Sequence, residues 1–207
     1  MAETHAELPL NSFWTQWCTR AARQAAPGWV GLVREMGGLQ DAFAASLPPQ
    51  ETVDEVSGLL ARARELLAGH AVGDENQLFG RFLLDPTRGQ TFSPAVRLTS
   101  VGERALTGET VFGRFHSGSY SAAHGGGVAL LFDDMFGRLV SAGDIPMART
   151  ANLSVNYRSI TPLDVALAVE VTVAEVVGRK WRLAGVLRYG ERVCAEATAL
   201  FLTVPAP

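Results

Sequence analysis

The chain has 207 residues, 47% hydrophobic and 19% charged, which is enough apolar material for one sizeable core and too much for a disordered polypeptide. Lys plus Arg at 18 against Asp plus Glu at 21 leaves a net charge of −3, so no basic field exists for a nucleic-acid backbone. The two cysteines, Cys18 and Cys194, belong to no C-x-x-C pair, so neither a disulfide framework nor a metal site is expected.

Glu3, His5 and Glu7 stand where an export signal would need a basic end and an apolar stretch, and no apolar run approaches the roughly 18 residues of a membrane span. These features predict a cytoplasmic protein with free thiols. Asn152-Leu153-Ser154 then reads as a chance triplet in a strand and not as a glycosylation site.

From Asn11 to about Ala71 the pattern is helical. Ser12 can cap a segment with Phe13, Trp14 and Trp17, and Gly28 interrupts it after Pro27. Pro48-Pro49 breaks the chain before a second helix, Val53 to Leu67, with Val56, Leu59, Leu60, Ala63 and Leu67 on one face. Residues 70–92, rich in Gly, Asp and Pro, read as a linker or irregular extension. The expected division is therefore 1–92, a helical extension and linker, and 93–207, a second unit. Trp14, Trp17 and Trp29 either add packing to a sheet edge or lie as a lid over a site.

Strands follow. Ala95 to Val101 and Glu109 to Phe115 come first; Thr150 to Ser159, Val165 to Val177, Trp181 to Tyr189 and Val193 to Val204 come after. Their short connections imply antiparallel neighbours. Val165, Leu167, Val169, Val171 and Val173 alternate, so one sheet face is apolar and needs a cover. Between the two groups, Val128, Leu131, Phe132, Met135, Phe136, Leu139 and Val140 recur at helical steps after His124-Gly125-Gly126-Gly127. The order ββαββββ predicts an α+β fold, an antiparallel sheet of about six strands around one central helix.

At about 100° per residue, Asp134 points nearly opposite the apolar stripe, while Asp133 sits roughly 110° off it, at the flank. Asp133 is therefore the acid expected to be half-buried, although both aspartates can equally solvate an exposed face. The glycine run either aims free N–H groups at an oxyanion or simply lets the helix start pass close to the sheet. His124 is better suited to holding that loop than to acting as a base. Cys194, in an alternating strand, reads as a small core residue.

The stretch His124-Gly125-Gly126, Asp133-Asp134, Gly137, then Thr150 to Arg158, Thr161-Pro162-Leu163, Gly178-Arg179-Lys180 and Ala195 to Phe201 resembles the hotdog-fold acyl-CoA thioesterases of the PaaI-like superfamily. The resemblance spans roughly residues 94–204. It implies hydrolysis of acyl-CoA, with Asp133 as general base or nucleophile and the Gly126 amide, beside Gly125, polarising the carbonyl. It also implies that Thr150 acts from the opposite subunit of a homodimer or dimer of dimers, and that no cofactor is needed beyond coenzyme A in the substrate. His124 enters the implied catalytic set, and Gly125, Asn152, Arg158, Arg179 and Lys180 the substrate-binding set, the basic residues as phosphate ligands. A Gly-Arg-Lys turn also suits a solvated hairpin. Gly118 stands where some relatives carry Asn. Two other readings remain open: an acyl-CoA binder or sensor that does not hydrolyse, and a dehydratase or hydratase pairing His116 or His124 with Asp133.

Overall fold

The computed structural model describes residues 18, 20, 23–82, 85–142 and 148–204. Two helices come first, α1 (Trp29–Ala45) and α2 (Gln50–Ala68), separated by an extended Ser46–Pro49 link that ends in the two prolines. Helix α1 buries Val33, and its Asp41 carboxylate accepts the Phe115 N–H at 2.8 Å, which ties it to the turn Arg114–His116. No residue of α2 is buried. The expected helix around Trp14 and Trp17 lies outside the described residues.

Strands β1 (Val96–Val101) and β2 (Ala105–Thr110) form a hairpin, followed by helix α3 (Gly125–Ala142) and strands β3 (Ala148–Tyr157), β4 (Leu167–Val177), β5 (Lys180–Tyr189) and β6 (Arg192–Thr203). All six strands form one antiparallel sheet in the order β1-β2-β4-β5-β6-β3. The expected β2 started too late. Gly108 lies inside the strand, where β1 leaves no room for a side chain: a Cβ there would lie 2.6 Å from Val96 Cγ1 and 3.0 Å from Arg97 O. Beyond Thr110 the chain leaves the sheet so that Phe112 can enter the core.

Strands β3 and β4 follow each other in sequence but are not neighbours, contrary to the inference from short connections. Residues 158–166 carry the chain from one sheet edge to the interior. Their backbone is fixed on the way: Arg158 and Ser159 donate to Cys194 O, Ala123 donates to Thr161 O, and Asp164 donates to Phe112 O.

Helix α3 packs against the sheet and buries the expected stripe, Val128 to Val140. Val169 and Val171 of β4, Leu183 and Leu187 of β5, and Ala197, Ala199 and Phe201 of β6 complete this core. Gly185 marks the closest crossing, since a Cβ there would stand 3.0 Å from both Phe132 Cε1 and Val171 Cγ1. Cys194 is fully buried in the same core, and Cys18 is also buried.

Candidate active site

Asp133 sits on the flank of α3, half-buried, and its Oδ1 accepts the Thr150 hydroxyl at 2.8 Å. Thr150 reaches it because β3 bulges between Thr150 and Asn152, which re-aims the strand at its edge position. Within the chain Thr150 thus holds its own Asp133, the acid to which the resemblance had it contribute from the opposite subunit. Both line a cavity of about 320 Å³ whose opposite wall is formed by Phe79, Arg88 and Phe92. Residues that read as a linker are thus part of this site. Neither α1 nor α2 lines it, so the tryptophan lid does not form from their described residues.

Asp134 is the larger correction. Its side chain is 7% exposed, held between Arg88 and Arg138, with Arg138 Nε donating at 2.8 Å. Opposite the sheet, α3 is covered at Asp134 and Arg138, because Pro86 and Arg88 lie on it. Arg88 also donates to Gly80 O at 2.7 Å, and the turn carrying it has left-handed backbone at Arg88 and Gly89, where a side chain on Gly89 would strike the Phe82 ring. Burial lowers the pKa of Arg138, and the adjacent Asp134 carboxylate opposes that shift.

The start of α3 is self-contained. His124 Nδ1 accepts the Gly126 N–H at 3.0 Å, and His124 O accepts the Gly127 N–H at 2.9 Å. The amide expected to polarise a carbonyl is therefore engaged by the histidine of its own loop. The Gly125 N–H donates to no acceptor among the described residues. Tyr157, which the sequence reading passed over, donates to Gly125 O at 2.8 Å, and its hydroxyl would lie 3.0 Å from any Cβ at Gly125. Only alternation along β3 hinted that Tyr157 faces the helix start.

His116 packs edge-on against Phe112 and Phe115, with both ring nitrogens buried and no hydrogen-bond partner among the described residues. Burial lowers its pKa, and Asp41 partly offsets this. It sits beside Gly127, about two helical turns from Asp133, and does not pair with it.

The basic residues do not form one patch. Arg158 bonds Glu196 at 2.7 Å near the helix start, whereas Lys180 pairs with Leu202 six residues further along β6, about 20 Å away. Arg179 and Arg149 lie at the Lys180 end, and Arg149 lines the cavity. Asn152 is exposed past the bulge and does not line the cavity. Among the described residues no group of three or more His, Cys, Asp or Glu could hold a metal ion, and no helix is long and apolar enough to cross a membrane.

No protein-family model and no curated protein matches the chain in sequence. Solved structures do match in shape. A thioesterase superfamily protein, RHA08564, superposes with a TM-score of 0.73 at 23% identity over 86% of this chain and 96% of its own. The fold is a hotdog, as in that structure. At 86% coverage that match also takes in residues ahead of the sheet. The hotdog core alone is shared with smu.793 from Streptococcus mutans UA159 bound to acetyl CoA, at TM-score 0.52 and 19% identity over 56% of this chain and 92% of that one. A hypothetical thioesterase from Streptococcus pneumoniae TIGR4 with coenzyme A gives a TM-score of 0.50 at 18% identity, over 53% and 88%.

Proposed function

We propose that the protein hydrolyses acyl-CoA thioesters to a free acid and coenzyme A, with Asp133 as general base. The observation that carries this reading is the half-buried Asp133 carboxylate at the wall of a cavity, one oxygen held by Thr150 and the other left for water. Water attacks the thioester carbonyl carbon as Asp133 takes its proton. The tetrahedral oxyanion then collapses, the C–S bond breaks, and the thiolate leaves to be protonated. Hotdog proteins with coenzyme A or acetyl CoA bound support the choice of substrate.

The oxyanion needs donors, and the start of α3 is the nearest set of backbone amides. Gly125, whose N–H has no acceptor among the described residues, and Asp133 are eight residues apart, about 12 Å along one helix, so a single carbonyl does not meet both in one chain. The reading therefore includes a homodimer in which Asp133 and Thr150 of one copy face the helix start of the other. That pairing also brings Arg158 of one copy toward Arg149, Arg179 and Lys180 of the other as phosphate ligands, uniting basic residues that one chain keeps apart.

The test is thiol release from a series of acyl-CoAs. Asp133→Asn is expected to lower kcat by about 10²-fold or more with acyl-CoA affinity retained. Full activity in that variant overturns the assignment of the base. Tight binding of acyl-CoA by the wild type without thiol release overturns hydrolysis in favour of a binding protein.

A further inference from the structure

We infer that the cavity beside Asp133 is an acyl pocket for a compact apolar acyl group of up to about ten non-hydrogen atoms, and that Phe79, Arg88 and Phe92 set this limit. The inference rests on the thioester reading above. Its size follows from the volume: about 320 Å³ at roughly 30 Å³ per water-sized group holds about ten such groups. Its chemistry follows from the lining. Leu130, Gly137 and Val140 of α3, Phe201 of β6, and Phe79 and Phe92 supply the apolar lining, and the charged and polar lining residues, Arg88, Gln90, Arg149 and Thr150 among them, share the cavity with Asp133.

Two features independent of the volume point the same way. In the single chain Phe79 and Phe92 are 55% and 65% exposed, two phenyl rings lining a cavity that also holds Asp133. An apolar ligand between them would remove both from solvent. Gly137 stands one turn after Asp133 in the interior of α3, where glycine is unfavourable by about 1 kcal/mol relative to alanine. Nothing lies within 4 Å of a Cβ built there, so no packing contact demands glycine. What the missing side chain provides is room over the helix, directly beyond the reacting carboxylate.

The wall carrying Arg88 and Gln90 is tied down by hydrogen bonds. Arg88 bridges Gly80 O and Asp134, Arg138 completes the ion-pair network, and Gln90 bonds the Ser93 hydroxyl at 2.6 Å and the Ser93 N–H at 2.9 Å. These bonds hold the Arg88 and Gln90 part of the wall in place beside the carboxylate.

The experiment measures thiol release by the full-length protein, its Gly137→Leu variant and its Phe92→Ala variant. The substrates are acetyl-, butanoyl-, hexanoyl-, octanoyl-, benzoyl-, dodecanoyl- and hexadecanoyl-CoA. Dissociation constants for the matching non-hydrolysable thioethers are measured alongside. For the wild type, kcat/KM is expected to fall at least tenfold from octanoyl to hexadecanoyl. Gly137→Leu should move the cut-off to shorter chains by two or more carbons, and Phe92→Ala should raise the dodecanoyl-to-butanoyl ratio at least tenfold. Gly137→Leu tests the pocket without threatening the fold, since leucine favours the helix. An unchanged profile in both variants, or a wild type equally active on hexadecanoyl-CoA, overturns the inference. Absent hydrolysis with size-graded thioether binding overturns the proposed reaction and leaves the pocket standing, whereas absent binding of every thioether overturns the pocket itself.

Discussion

Asp133 and Asp134 are adjacent acids with opposite roles, and substitution should separate them. Asp134→Asn leaves Arg138, 4% exposed, and Arg88 without their anion, so it should cost about 3–5 kcal/mol, read as a lowered midpoint in urea unfolding. Asp133→Asn removes no buried ion pair and should leave that midpoint near the wild-type value. The helical angle alone located Asp133 at the flank, because that depends only on the local period of α3. Asp134 was misread as solvated because its covering residue, Arg88, is 46 positions away and arrives on a segment with no periodic signature. His116 offers a pH test. Its folded pKa is lowered, so the unfolded chain binds the proton more strongly. Stability is thus full above the ordinary histidine value of about 6.5 and is lost as pH falls through it toward the depressed value. Thermal midpoints between pH 7.5 and 5.5 should fall, and His116→Phe should flatten that fall; an equal slope in the variant would assign the effect to other groups.

The contact between α3 and the sheet depends on Gly185. Gly185→Val pushes atoms into Phe132 and Val171, and overpacking of this kind should cost about 1–3 kcal/mol, measurable by denaturant titration. Gly190→Ala, in a turn with open space around it but positive φ, is the contrasting case in which only backbone strain acts. Most elements were legible before the structure: α3 from its unbroken stripe, β4 from its alternation, and the helices around Pro48-Pro49 from the breaker. Strand order was not. The jump of residues 158–166 across the sheet is held by bonds from Ala123, Arg158, Ser159 and Asp164 to residues distant in sequence, and no local pattern encodes it. The same holds for the helix start, where Tyr157 reaches Gly125 from 32 residues away.

At the level of the whole molecule, the composite site makes a prediction about mixtures of inactive chains. Asp133→Asn and Thr150→Ala damage the same half-site, so their mixed dimers should recover nothing. Asp133→Asn mixed with Gly125→Pro, a residue accepted at the first position of a helix, should recover about a quarter of wild-type activity, since half the dimers are mixed and each carries one intact site. No recovery in verified mixed dimers would place the entire site within one chain. Helix α2 has a different consequence. It spans 19 residues, buries none of them, and joins its neighbour through an extended link ending at Pro49. Helices held only by their own hydrogen-bond ladder are marginal in water, so α2 should open and close without waiting for the sheet to unfold. In deuterated buffer, an isolated copy of the chain should lose the amide protons of α2 within seconds, while those of α3 should persist until the molecule unfolds globally. The slowest-exchanging protons would then map the cooperative unit, and a trypsin cut after Arg62 or Arg64 should nick the chain while leaving that unit folded.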